Sequence, residues 1–172
     1  MGNCAQKIFI FTRLTKGFFM LNLIGEYECK LDSKSRLLFP AGLKRQLPVS
    51  EDYGFVLNRG FEKCLVLYPV NEWKTISDEI NQLNIFIKKN REFVRYFYRG
   101  ATEIVLDATN RLLIPKGLLQ YAGIEKDVVL FTFSNRIEIW EKLSYESLLN
   151  DEPKEFADLA EEVMSKKNNK EV

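Results

Sequence analysis

Apolar and polar positions mix from Tyr27 to Leu31, and a run of the same kind recurs from Thr102 to Leu106. Such mixing marks half-buried strands. After each run an Asp-x-x-x segment supplies turn chemistry. Asn110 suits a left-handed position in such a turn better than Ser35 does. The short apolar runs Arg36–Phe39 and Arg111–Ile114 then read as strands. Pro40 and Pro115 set φ for a first helical turn, which predicts helices over Ala41–Leu47 and Lys116–Ala122. Two strands follow in each half. Phe55–Asn58 and Lys63–Tyr68 flank Arg59–Glu62, and Val128–Phe133 and Arg136–Trp140 flank Ser134 and Asn135. Each half closes on a helix, near Asn71–Leu83 and near Leu143–Asn150. Between them, Ile85–Tyr98 places Phe86, Ile87, Phe93, Val94, Phe97 and Tyr98 on one broad helical face, to pack on the domain or meet another subunit. Pro153–Lys167 reads as a further helix with Phe156, Leu159, Ala160 and Val163 on one side, and Lys166–Val172 as a disordered tail.

The two halves are copies of one another. With Gly25 laid on Gly100, an offset of 75, Gly25–Pro40 matches Gly100–Pro115. The identities are Gly25/Gly100, Glu28/Glu103, Leu31/Leu106, Asp32/Asp107, Arg36/Arg111, Leu37/Leu112, Leu38/Leu113 and Pro40/Pro115, continued by Gly42/Gly117 and Leu43/Leu118. Chance does not place D-x-x-x-R-L-L-x-P twice in a short chain. Two copies are too few for a solenoid and point instead to a pseudo-twofold domain.

Composition narrows the chemistry. At 172 residues, 46% apolar and 28% charged, the chain suits one ordinary globular domain or two small ones. It has no histidine, which removes Ser-His-Asp and Cys-His nucleophilic catalysis and the commonest transition-metal ligand. Cys4, Cys29 and Cys64 share no CxxC spacing, so neither a zinc site nor a disulfide framework is expected, and free thiols fit a reducing cytoplasm. No P-loop, GxGxxG or GxSxG string occurs. No cofactor, catalytic residue, small-molecule substrate or membrane span is therefore expected. Glu26, Glu28 and Glu103 read as exposed strand glutamates, and Tyr68, Trp73 and Trp140 as core or interface aromatics. The opening MGNCAQ carries Gln6 where a myristoylation signal needs Ser or Thr. Residues 1–19 read as a poorly packed extension, with Met20 an alternative start.

The repeated string, with its strand, Pro-started helix and hairpin, resembles the MraZ family from about Ile24 to Trp140. That resemblance implies a mixed α+β fold, mainly β. Two AbrB-like swapped-hairpin halves form a pseudo-twofold barrel with peripheral helices. The expected organisation is an extension at 1–19, a first half at 20–84, a connecting helix at 85–99, a second half at 100–150, and a helix and tail at 151–172. The family turn usually carries Gly before the Arg, where this chain has Ser35 and Asn110. The resemblance also implies a transcription regulator, generally a repressor, at the promoter of the division and cell-wall gene cluster. Its implied partners are clustered direct repeats in double-stranded DNA and other subunits of a homo-oligomeric ring, and its implied location is the cytoplasmic nucleoid. The matched arginines, Arg36 and Arg111, lie on the DNA face of such folds.

The residues agree with that reading. Asp32 and Asp107 can lock their turns by accepting backbone N–H bonds, holding each Arg in a defined direction. A guanidinium offers bidentate bonds to phosphate or guanine. The alternative is that each Arg merely pairs with its own Asp. Lys34, Lys44 and Arg45 enrich the first copy in cations, where the second has Thr109, Leu119 and Gln120, although Lys44 and Arg45 also suit an ordinary solvated helix face. Residues 25–123 hold 15 Lys+Arg against 12 Asp+Glu (net +3), and 141–172 hold 5 against 9 (net −4), so positive charge is sorted away from the tail. Two rivals remain: a protein-binding scaffold or oligomeric adaptor on the same fold, and an enzyme, which the missing histidines disfavour.

Overall fold

The computed structural model describes residues 21–48, 54–150 and 156–168. Residues 1–19, expected to pack poorly, lie outside them. Strand β1 (Leu23–Lys30) leads through the first Asp turn to β2 (Arg36–Leu38) and helix α1 (Ala41–Lys44). The hairpin β3 (Gly54–Arg59) and β4 (Leu65–Pro69) follows, then α2 (Val70–Asn81) and α3 (Lys88–Phe97). The second half repeats the order: β5 (Thr102–Val105), β6 (Arg111–Leu113), α4 (Lys116–Ala122), β7 (Asp127–Ser134), β8 (Arg136–Glu141) and α5 (Lys142–Asn150), before α6 (Phe156–Asn168). The expected α+β fold, built on antiparallel strands, is present.

The halves exchange strands. The main sheet runs β1-β7-β8-β4-β3-β5, and β2 pairs with β6 in a separate ribbon. Read from its other end, the sheet order is the same with the halves exchanged. Thus β1 pairs with β7 of the second half, from Leu23 opposite Ser134 to Lys30 opposite Asp127, and β5 pairs with β3 of the first. At the centre, Leu65 opposite Ile139 and Leu67 opposite Ile137 are one pair with the halves swapped. Leu37 opposite Leu112 plays the same central part in the ribbon. The pseudo-twofold axis therefore passes through both sheets.

The core follows from this exchange. Leu37, Leu43, Leu57, Leu67, Leu112, Leu130, Ile137 and Ile139 are fully buried in one cluster drawn from both halves. A second cluster joins Tyr68, Val129, Trp140 and Tyr145, with Trp73 packed against it, as the aromatic reading required. Gly25, inside β1, and Gly100, two residues before β5, both take positive φ (127° and 92°), which explains why the repeat places glycine at both positions.

Several boundaries differ from the sequence reading. Helix α1 stops at Lys44 because Gln46 and Leu47 bond three residues back, to Leu43 and Lys44, tightening the chain ahead of Pro48. Strand β4 starts at Leu65, since Lys63 and Cys64 belong to a turn closed by Cys64 N–H donating to Glu62 O. Helix α3 starts at Lys88. The Asn84 side chain accepts from Phe86 N–H, and Arg91 donates to the carbonyls of Ile85 and Phe86, holding these residues in a turn. Phe86 therefore leaves the expected helical face and is 89% exposed, while Phe97 stacks on Trp73 with ring centroids 5.5 Å apart. Helix α6 runs to Asn168, past the expected onset of disorder at Lys166; Asn169–Val172 lie outside the described residues.

Candidate nucleic-acid interface

Each repeated aspartate builds its turn by accepting hydrogen bonds. Asp32 Oδ1 accepts from the backbone N–H of Lys34 at 2.8 Å and of Arg36 at 3.0 Å. Asp107 Oδ1 accepts from the N–H of Thr109 at 2.8 Å and of Arg111 at 2.9 Å. Ser35 and Asn110 complete the turns in left-handed conformation, with φ of 61° and 58°. Asn110 suits that conformation readily, and the surrounding bonds impose it on Ser35 as well. The turns are also tied to opposite halves. Phe39 N–H donates to Asn110 O at 2.8 Å, and Ile114 N–H to Ser35 O at 3.0 Å. One rigid unit thus carries both motifs.

The two arginines are held unequally. Arg36 lies back on Asp32, donating from Nε at 2.8 Å with Nη2 at 2.7 Å from the same carboxylate oxygen. The pairing weighed as an alternative to outward presentation is thus present at Arg36. Arg111 is looser. Its Nε donates to Thr109 Oγ1 at 2.7 Å and lies 3.6 Å from Asp107, and its Nη1 reaches across to Asp32 at 3.7 Å. Asp32 therefore faces both guanidinium groups. The Arg36 hydrogen bond, with backbone donors behind it, draws the Asp32 pKa down to about 2. Asp107 is lowered too, first by the Thr109 hydroxyl.

Of the remaining cations, Lys34 and Lys44 belong to this unit. Lys34 is exposed within the first turn, and Arg45 is exposed just beyond α1. Lys44 donates from Nζ to Asn110 Oδ1, so a first-half cation borders the second-half turn. At its counterpart position, Leu119 is buried in the core. Arg36, Arg111, Lys34 and Lys44 thus share one region joined by Asp32 and Asn110. Lys30 stands apart, 3.3 Å from Asp127. Glu26 accepts from the Tyr145 hydroxyl at 2.7 Å and Glu28 from Lys142 Nζ at 2.7 Å, which gives these glutamates structural partners.

In the sequence, Thr109 stands only as the uncharged counterpart of Lys34. Its hydroxyl links Asp107 to Arg111, and the signal was a Thr two residues after a turn Asp. The sequence marks Asn110 for its backbone conformation alone, and nothing in the string reveals its bond to Lys44, 66 positions away.

Comparison with known proteins identifies the family. The family described as "MraZ protein, putative antitoxin-like" matches twice, over residues 23–96 and 97–167, each match taking in one Asp turn. A "Transcriptional regulator MraZ" of Flavobacterium psychrophilum is 52% identical over 153 residues, covering 88% of this chain and 98% of that protein. One of Christiangramia forsetii is 52% identical, covering 84% and 94%, and one of Clostridium tetani is 38% identical, covering 81% and 95%. With both repeats matched and similarity running through most of its length, the chain belongs to the MraZ family.

Proposed function

We propose that this protein is a DNA-binding transcription regulator whose contact face is the β2/β6 ribbon with its two Asp-locked turns. The observation that carries the reading is the joining of both D-x-x-x-R motifs into one rigid unit, with Arg36 and Arg111 both beside Asp32. Lys34, Lys44 and Arg45 supply positive charge around it. Phosphate contacts give such a face affinity, and guanidinium contacts to base edges give it sequence preference. Approach of DNA draws the arginines partly from Asp32, exchanging one charge-assisted bond for another. The relatives named as transcriptional regulators support the same assignment.

The finer reading is repression at the promoter of the division and cell-wall gene cluster, through clustered short direct repeats, within the nucleoid. A homo-oligomeric ring would supply several such faces. The exposed apolar turn formed by Ile85, Phe86 and Ile87 suits a subunit contact. Gel retardation and footprinting on DNA upstream of the protein's own coding region test the proposal. Salt-sensitive, sequence-selective retention is expected. Equal, weak retention of every duplex would refute it and favour a protein-binding scaffold.

A further inference from the structure

The ribbon's outward face carries more than arginine. In β2, Leu37 is buried while Arg36 and Leu38 lie on the opposite side; in β6, Leu112 is buried while Arg111 and Leu113 lie opposite. The register sets Arg36 against Leu113 and Leu38 against Arg111. Directly opposed residues share a face, so four side chains form an alternating Arg/Leu square about the pseudo-twofold axis. Leu38 is 60% exposed and Leu113 59% exposed. Scattered exposed leucines need no explanation. Here two symmetry-related leucines sit beside the two motif arginines, and polar side chains there would hydrate the face better.

The square has the dimensions of a groove reader. Paired strands lie ~4.8 Å apart and alternate residues ~6.7 Å apart along a strand, so the square spans about two base-pair steps. A two-stranded ribbon fits the major groove, where guanine presents acceptors for a guanidinium and thymine presents a methyl group for an apolar side chain. The neighbouring cations are opposite in sign to the phosphates of a duplex.

Resting on the DNA reading above, we infer that Leu38 and Leu113 are specificity-determining residues that pack on thymine 5-methyl groups beside the bases met by Arg36 and Arg111. The arginines select guanine and the leucines select thymine against cytosine. The two leucines thereby extend the sequence code beyond what the arginines read.

The test uses duplexes selected by the parent protein from a random pool, each thymine replaced in turn by deoxyuridine. This change removes one methyl and leaves base pairing intact. At one or two positions the parent should bind about fourfold more weakly. Leu38→Ala, Leu113→Ala and the double substitution should weaken binding to the thymine duplex and lose the thymine-to-deoxyuridine difference at those positions. Leu→Met at either site should restore it. Both leucines are exposed, so circular dichroism should show unchanged folding. The inference is overturned if the parent binds thymine and deoxyuridine duplexes equally, or if the alanine variants weaken both equally. It is overturned too if the double substitution alters only the protein's size in solution, since the leucines then meet a second copy. Absence of selective retention by the parent would overturn the DNA reading itself.

Discussion

Ser35 and Asn110 hold nearly the same left-handed backbone, at φ 61° and 58°, with unequal aptitude for it. A non-glycine residue there costs roughly 1–2 kcal/mol, less for Asn, and glycine escapes the cost at the expense of some unfolded-state entropy. Ser35→Gly should therefore stabilise the protein by about 0.5–1 kcal/mol in chemical denaturation. Asn110→Gly should gain less, because its side chain accepts from Lys44. Asp32 gives a pH signature. Its folded pKa is lowered, so its contribution is complete above the ordinary value of 3.8 and disappears as pH falls towards about 2. Asp32→Asn should be less stable than the parent near neutrality, and the gap should close through that acid window in pH-dependent melting. The arginines divide differently. Arg36→Ala removes a partner that Asp32 holds closely and should lower thermal stability as well as DNA binding. Arg111→Ala, with its longer ion pairs, should mainly lose binding. A lost guanine contact would relax discrimination by ~1–3 kcal/mol, whereas a lost phosphate contact would weaken all duplexes alike.

The β2/β6 ribbon shows why adjacent identical residues serve different ends. Leu37 and Leu112 are fully buried at the axis, so either Leu→Ala should cost about 2–5 kcal/mol in denaturation, while Leu38→Ala should leave stability nearly unchanged. The repeat made both pairs visible in the sequence, because Leu37-Leu38 and Leu112-Leu113 are identical strings. It does not say which member faces inward, since Leu37-Leu38-Phe39 and Leu112-Leu113-Ile114 are unbroken apolar runs with no polar position to mark the period. Regular alternation and prolines placed most elements to within a few residues. The errors fell where side chains override periodicity, as when Asn84 and Arg91 hold Ile85 and Phe86 off the start of α3. Long-range bonds were beyond the string altogether. Gln46 pairs with both backbone groups of Ile24 at 2.9 Å, fastening the start of edge strand β1 to the chain after α1, and no local pattern marks it. Strand exchange also governs foldability. A fragment of residues 20–99 keeps β1 but loses its partner β7, and should not fold as a monomer by circular dichroism and sizing.

The intact chain carries a formal net charge of +1, with its positive excess drawn towards the repeats and its negative excess in residues 141–172. One such chain should hold a polyanion weakly, because each neutralised phosphate adds only one released counterion. On the proposed reading, assembly makes up the deficit. Once one ribbon has docked, a second on the same assembly binds as if at high local concentration, and avidity rises by ~10²–10⁴ without any new kind of contact. That gain depends on geometry. Neighbouring ribbons on a rigid assembly engage one side of a duplex only if their sites recur at about one helical turn, ~10 base pairs. Operators with two or more short repeats in phase should therefore be retained far more tightly than one repeat. Inserting half a turn between repeats should remove most of the gain, because the second site then faces away, and restoring a full turn should recover part of it. Phe86→Glu should lower avidity for the array but leave single-repeat affinity unchanged if the exposed turn before α3 joins subunits, since Phe86 is remote in sequence from both Asp turns. Gel retardation on spacer variants, with light scattering on the same samples, checks both expectations together. Equal affinity for single, in-phase and out-of-phase repeats would show that each chain reads DNA alone, and the positive charge around Asp32 would then have to account for the whole of binding.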